Sequence, residues 1–180
     1  MYYYRYNISF MTMEKINIVL GRFQPFTEGH LKCCEQVYKD TGVPSVLCVI
    51  DTVKTDSKHP FLTKILWSSF QKLAKSYKSI ADIVLVKSAN IVDIKDRLED
   101  KGYEAVSWSC GTDRYDAYST MCSKYAPEIK VIEIRRDDKD ISATAIRNAL
   151  LKGDKEFYMD NMPSEMAPMY DKLRDIMLNL

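Results

Sequence analysis

The sequence predicts an α/β fold: a parallel sheet with helices on both faces. Three observations predict it. Five short apolar runs alternate with segments of helical period along the 180 residues. The first two runs are apolar almost throughout, as strands covered on both faces are. Glycine and proline punctuate the boundaries between the periodic segments. Strands that alternate with helices pair in parallel through right-handed crossovers.

Ile16 to Leu20 is the first strand, short and β-branched. It leads into GRFQPFTEGH, Gly21 to His30, after which Leu31, Cys34, Val37 and Tyr38 share one helical face. Gly21 permits a tight turn, and Pro25 delays the helix and keeps Gln24 extended. Thr27 is placed to cap the helix, and Gly29 lets a ligand come close to the backbone. Ser45 to Ile50 is the second strand. Thr52 to Pro60, polar and without period, reads as a mobile loop. Thr63 to Tyr77 is an amphipathic helix that aligns Leu66, Phe70, Leu73 and Tyr77.

Ile83 to Val86 is the third strand, and Ile91 to Lys101 a shorter helix that Gly102 stops. Ala105 to Ser109 is the fourth strand and ends in the loop Cys110 to Arg114. A helix over Tyr115 to Tyr125 and a last strand, Ile129 to Ile134, follow. Arg135 to Asp140 is a charged loop. Ser142 opens a helix running to about Lys152, and Asp154 to Asp160 forms a short one. The final helix is predicted to begin within Met162 to Glu165, with Met169, Leu173, Ile176 and Leu180 as its apolar face. Packing of that face within the chain is the favoured reading, and a homo-oligomer contact the minority one. Residues 1–13 read as an N-terminal extension without catalytic role. Residues 14–180 read as a single domain, with a C-terminal helical segment from about residue 154.

Composition excludes several classes. With 46% hydrophobic residues the chain can bury a proper core, and a formal net charge of +1 gives no general pull toward nucleic acid or membrane. No apolar run approaches a membrane span. The five cysteines show no zinc spacing and read as reduced thiols, so the expectation is a cytoplasmic protein. No phosphate loop of the GxxxxGK[ST] kind, paired-carboxylate motif or Cys/His dyad is visible.

The chemistry-bearing residues gather around phosphate recognition. A helix opening just after Gly21–His30 offers its first amides to an anion, and Arg22, Thr27 and His30 add three side-chain donors there. Arg22 is a candidate phosphate clamp, because its planar fork matches phosphate oxygens. Phe23 belongs to the same candidate phosphate-binding loop, although its ring and that of Phe26 read as loop packing. Lys54 and Lys58 lie in a loop leaving the same sheet edge and are candidate contacts to an acceptor phosphate. Arg135 and Arg136 are a candidate anion patch.

GRFQPFTEGH resembles the signature of the HxGH/TxGH nucleotidyltransferases, the family that includes nicotinamide-mononucleotide and phosphopantetheine adenylyltransferases. Ile141-Ser-Ala-Thr-Ala-Ile-Arg147 is similar to that family's ISSTxIR motif, with Ala143 in place of its second serine. The two motifs stand in the family's order and at its usual separation. The GRFQPF form is most similar to nicotinamide-nucleotide adenylyltransferases of the archaeal and phage kind. The resemblance implies a Rossmann-like, doubly wound parallel five-stranded sheet of order 3-2-1-4-5, with ligands in the crevice where strand order reverses.

The resemblance also implies roles. His30 donates to an α-phosphate during transfer. Thr27 takes the place of the first His, and its hydroxyl is expected to donate to phosphate. Ser142, Thr144 and Arg147 hold the β- and γ-phosphates. Gly111 admits a ribose or base; Asp113 accepts from a ribose hydroxyl and Arg114 holds the acceptor's phosphate, an Asp–Arg structural pair being an even alternative. Magnesium enters on the ATP phosphates, with no dedicated protein ligands. The expected partners are ATP and a small phosphomonoester, nicotinamide mononucleotide being the favoured acceptor. The alternatives are a sister transferase using phosphopantetheine, or CTP with a phosphoalcohol, and a non-catalytic nucleotide-binding regulator.

Overall fold

A computed structural model of the chain describes residues 12–135 and 141–180. Its centre is one parallel sheet of five strands: β1 (Glu14–Gly21), β2 (Ser45–Ile50), β3 (Ile80–Val86), β4 (Tyr103–Gly111) and β5 (Lys130–Ile134). Their order is β3-β2-β1-β4-β5, the Rossmann-like order expected from the motifs. Seven α-helices accompany the sheet among the described residues: α1 (Glu28–Thr41), α2 (Thr63–Ser76), α3 (Ile91–Glu99), α4 (Thr112–Tyr125), α5 (Ala143–Lys152), α6 (Lys155–Asp160) and α7 (Tyr170–Leu178). None is long and apolar enough to cross a membrane.

The order explains the layers. From β1 to β3 the chain steps in one direction, and right-handed crossovers put α1 and α2 on one face. From β3 it returns to the far side of β1, which puts α3 and α4 on the other face. Two apolar clusters follow. Val19, Leu47 and Val49 point toward Leu31, Leu66, Phe70 and Leu73. Ile16, Ile18, Val46 and Cys48 point toward Ile91, Ile94, Leu98 and Cys122. Strand residues alternate between the two sides, as the pleat requires.

The C-terminal helices complete the first cluster. Tyr158, Met162, Met166, Tyr170 and Leu173 are buried against it, and the Tyr158 hydroxyl donates to the Met166 carbonyl at 2.9 Å. Burial pushes the Tyr158 phenol well above its ordinary range. The face predicted for the last helix is therefore mostly spent within the chain: Leu173 is buried, Met169 and Ile176 pack on the cluster, and Leu180 is exposed.

Several boundaries differ from expectation. β1, β3 and β4 extend past their apolar cores, because ladder hydrogen bonds include flanking polar residues that composition does not mark as strand. α1 starts at Glu28, so His30 stands in its first turn. α4 starts at Thr112, so Asp113 and Arg114 are in its first turn and not in a loop. The last helix does not begin at Met162–Glu165. A 3₁₀ turn, Ala167–Met169, accommodates Pro168, and α7 begins at Tyr170.

One polar residue crosses the centre of the sheet. Asn17 in β1 is fully buried, and its Nδ2 donates to Ser45 Oγ of β2 at 3.0 Å and to Ser109 Oγ of β4 at 2.9 Å. Ser107 Oγ donates to Asn17 Oδ1 at 2.8 Å. The register of β1 against β4 shifts between Ile16 and Asn17, bringing Ser107 opposite Asn17. One amide thus satisfies three buried hydroxyls on the strands flanking the switch in strand order. Asn17→Ala takes a partner from each of the three hydroxyls and is expected to cost about 3 kcal/mol of stability, measured as a lower midpoint in urea unfolding.

Candidate active site

The loop after β1 is folded by its own aromatic rings. Phe23 takes a positive φ of 47°, which turns its ring back over Gly21. A Cβ on Gly21 would lie 2.9 Å from that ring, so the position admits glycine alone without movement. The Phe23 and Phe26 rings lie 5.2 and 5.3 Å from the His30 ring, which they pack against from two sides. Phe23 and Phe26 are both buried, the first at a backbone cost of about 1–3 kcal/mol.

His30 is oriented through Nδ1. The Thr27 backbone N–H donates to it at 3.0 Å, and Thr27 Oγ1 lies 2.9 Å away. A nitrogen that accepts from a backbone amide carries no proton, so the ring proton resides on Nε2. His30 lines a cleft of about 470 Å³. That cleft lies beyond the carboxyl ends of the strands: Gly21 ends β1, Ile50 ends β2, Gly111 ends β4 and Ile134 ends β5, and all four line it.

The second motif reaches the same cleft from the C-terminal side. Ser142 caps α5, its Oγ accepting from the Ala145 N–H at 3.1 Å. Arg147 lines the cleft; its Nη1 donates to the Gln24 carbonyl at 2.8 Å and its Nη2 to Thr144 Oγ1 at 3.0 Å. Burial pulls the Arg147 guanidinium below its ordinary value, without bringing it near neutrality. Arg22 also lines the cleft, and its Nη1 donates to the Asp51 carbonyl at 3.1 Å.

Of the residues singled out in the sequence, Gly21, Arg22, Phe23, His30, Gly111, Asp113, Arg114, Arg147 and Lys58 meet at this cleft. Asp113 and Arg114 form an exposed ion pair at 3.5 Å. Thr27 is fully buried; its hydroxyl faces His30 Nδ1 and donates toward the Ile141 carbonyl at 3.3 Å. It supports the site from beneath and is not on the cleft wall. Gly29 serves a different approach from the one expected: a Cβ there would meet the Ile141 carbonyl at 2.9 Å, so the glycine seats the second motif against α1. Ser142 and Thr144 are exposed at the start of α5 beside the cleft, and Lys54 is exposed away from its wall. Arg136 lies outside the described residues.

The cleft also contains residues not singled out. Gln24, Cys33, His59, Ser109, Cys110, Tyr118 and Ala143 line it. Tyr118 stacks on buried Trp108, with centroids 4.0 Å apart. Its signal was present, because Tyr118 follows Arg114 by one helical turn on α4. Burial pushes the Cys110 thiol up to about 11, so it is protonated at neutral pH and unsuited to act as a nucleophile. The tip of the Thr52–Pro60 loop is bonded within itself. Asp56 accepts from the backbone N–H groups of Lys58 and His59 at 2.8 and 2.7 Å, and the His59 ring faces its carboxylate at 3.1 Å. These bonds hold the Asp56 carboxyl below its ordinary value.

No protein-family model matches the chain, and no curated protein matches it significantly. Solved structures do resemble it. One is the Plasmodium falciparum nicotinic acid mononucleotide adenylyltransferase complexed with NaAD, at 13% identity and a TM-score of 0.56, covering 92% of this chain and 95% of that one. Another is a putative nicotinate-nucleotide adenylyltransferase from Vibrio parahaemolyticus, at 16% identity and 0.58, covering 93% and 100%. A third is a bifunctional NMN adenylyltransferase/ADP ribose pyrophosphatase from Francisella tularensis complexed with AMP and a manganese ion, at 18% and 0.62. The likeness covers 93% of this chain and 52% of that one, about half its length. At these identities the likeness is one of fold.

The seat of Ile141 on Gly29 can be probed directly. Gly29→Ala places a methyl group against backbone that has no free rotamer to yield. It is expected to cost about 1–3 kcal/mol in urea unfolding and to loosen the start of α5, measured as faster amide hydrogen exchange at Ala145 and Ile146.

Proposed function

We propose that residues 14–180 act as one nucleotidyltransferase unit that moves AMP from ATP to a phosphomonoester, with nicotinamide mononucleotide as the favoured acceptor and NAD and pyrophosphate as products. The observation that carries the reading is the meeting of the two motif segments at one cleft over the switch in strand order. His30 and Arg22 come from one segment and Arg147 from the other. The nucleotide adenylyltransferases that share the fold support it.

The chemistry asks little of acid–base catalysis. A phosphate monoester is already an anion near neutral pH, so attack on the α-phosphorus needs no side-chain base. The protein's part is alignment and stabilisation of negative charge on the phosphoryl oxygens. His30 supplies a donor at Nε2, held by the Thr27 amide so that the ring need not reorient. Arg22 and Arg147 place two cations on the cleft wall, each pinned through a backbone carbonyl. The first turn of α5, with exposed Ser142 and Thr144, offers amides and hydroxyls to the leaving pyrophosphate. Lys58 and Arg114 are the cationic candidates for the acceptor's phosphate.

No group of three or more His, Cys, Asp or Glu among the described residues is arranged to hold a metal alone. Magnesium carried by the triphosphate would, when bound, neutralise phosphate charge. Asp113 is a carboxylate on the cleft wall.

The test is pyrophosphate release from ATP and magnesium with a panel of acceptors: nicotinamide mononucleotide, nicotinic acid mononucleotide and phosphopantetheine, and CTP with a phosphoalcohol as a second donor pair. The expected result is release dependent on ATP and nicotinamide mononucleotide, with His30→Ala lowering kcat by roughly two to three orders of magnitude, about 3–4 kcal/mol. Release with another acceptor keeps the transfer and replaces the acceptor. ATP binding without release for any acceptor contradicts the transfer and favours a regulator.

A further inference from the structure

We propose that Gln24 is a positioning residue for the transfer: its side chain latches residues 51–62 as a preset wall of the cleft, so that Lys58 and His59 stand at the site before substrate arrives. This rests on the adenylyl-transfer reading above.

Residues 51–62 join β2 to α2 without regular structure, the kind of segment that usually moves as a lid. Here it has a buried root on Gln24. Gln24 Nε2 donates to the Phe61 carbonyl at 2.8 Å, and the Phe61 N–H donates to Gln24 Oε1 at 2.9 Å. A side-chain amide thus pairs with backbone as a neighbouring strand would. Both residues are buried, so neither bond is exchanged for water. The other end of the segment is closed by Thr52, whose N–H donates to Thr63 Oγ1 at 2.7 Å, and by Arg22 on the Asp51 carbonyl.

The tip is rigid within itself. The Asp56 carboxylate gathers the amides of Lys58 and His59 and the His59 ring, and the backbones of Asp56 and His59 exchange two bonds at 3.2 Å. A rigid tip moves as a unit about its root. The Gln24 amide therefore sets where Lys58 and His59 stand, and both line the cleft. The Gln24 carbonyl accepts from Arg147, so one residue joins the loop after β1, the 51–62 segment and α5.

Only an amide of this length satisfies the root, because Phe61 presents one donor and one acceptor. Glutamate keeps the bond from the Phe61 N–H and sets a carboxylate oxygen against the Phe61 carbonyl. Gln24→Glu is thus the sharp variant, and Gln24→Met, which removes both bonds, is the second. Phe61 remains anchored in the apolar cluster in either case.

Two measurements on the full chain test this. Hydrogen exchange reads the latch whether or not transfer is observed: the Phe61 amide, which loses its acceptor, is expected to exchange at least tenfold faster in Gln24→Met, with sheet amides unchanged. Unchanged exchange of the Phe61 amide in Gln24→Met overturns the proposal. Steady-state kinetics read its consequence. Gln24→Glu is expected to raise KM for at least one substrate about tenfold with kcat changed less than threefold. In the Lys58→Ala/His59→Ala background the same change should add nothing, since the groups it positions are gone. Full multiplication of the two effects, or a wild-type KM in Gln24→Glu, contradicts a positioning role. A loosened latch in a chain that transfers nothing would count against the transfer reading alone.

Discussion

The hydrogen bond from the Thr27 amide to His30 Nδ1 is the constraint on which the candidate site depends. It determines which nitrogen carries the ring proton, and so whether His30 offers the cleft a donor. The amide occupies that place because Thr27 precedes α1 and α1 begins where β1 has ended at the switch in strand order. Phe23 and Phe26 leave the ring little freedom to turn. A phosphoryl-transfer site gains most from donors that need no reorganisation as charge develops, and a ring fixed through its far nitrogen is such a donor.

The same few residues stitch the two motif segments together. Thr27 Oγ1 reaches the Ile141 carbonyl, Gly29 lets that carbonyl pack against α1, and Arg147 binds the Gln24 carbonyl. Each contact joins residues far apart in sequence. The start of α5 is thereby referenced to His30. Two cations, Arg22 and Arg147, are held at the cleft by carbonyl partners that leave their charge unneutralised.

Much of the fold was legible because its elements carry local signals. Alternating apolar runs and helical faces marked every strand and nearly every helix. The strand order came with the motif resemblance, since composition alone does not say which strand lies beside which. What escaped is tertiary. Nothing local to Thr27 says that its hydroxyl turns inward, or to Gly29 that its neighbour is Ile141. Gln24 stood inside the motif, yet its partner Phe61 lies across a loop that reads as loose because its bonds are made by side chains. The start of α4 was missed because Gly111 to Arg114 lacks an apolar stripe, although Asp113 near a helix start was a usable sign. The last helix was placed too early because Pro168 is compatible with a first turn, and the chain resolves it with a 3₁₀ turn instead.

The most direct measurement is nitrogen-15 NMR of the two histidine rings at neutral pH, with and without a non-hydrolysable ATP analogue. The account predicts His30 with a bare Nδ1 and a protonated Nε2, whose resonance shifts when nucleotide binds. His59, whose Nδ1 faces the Asp56 carboxylate, serves as the internal contrast with its proton on Nδ1. A proton on His30 Nδ1, or a His30 resonance indifferent to nucleotide, would contradict the account.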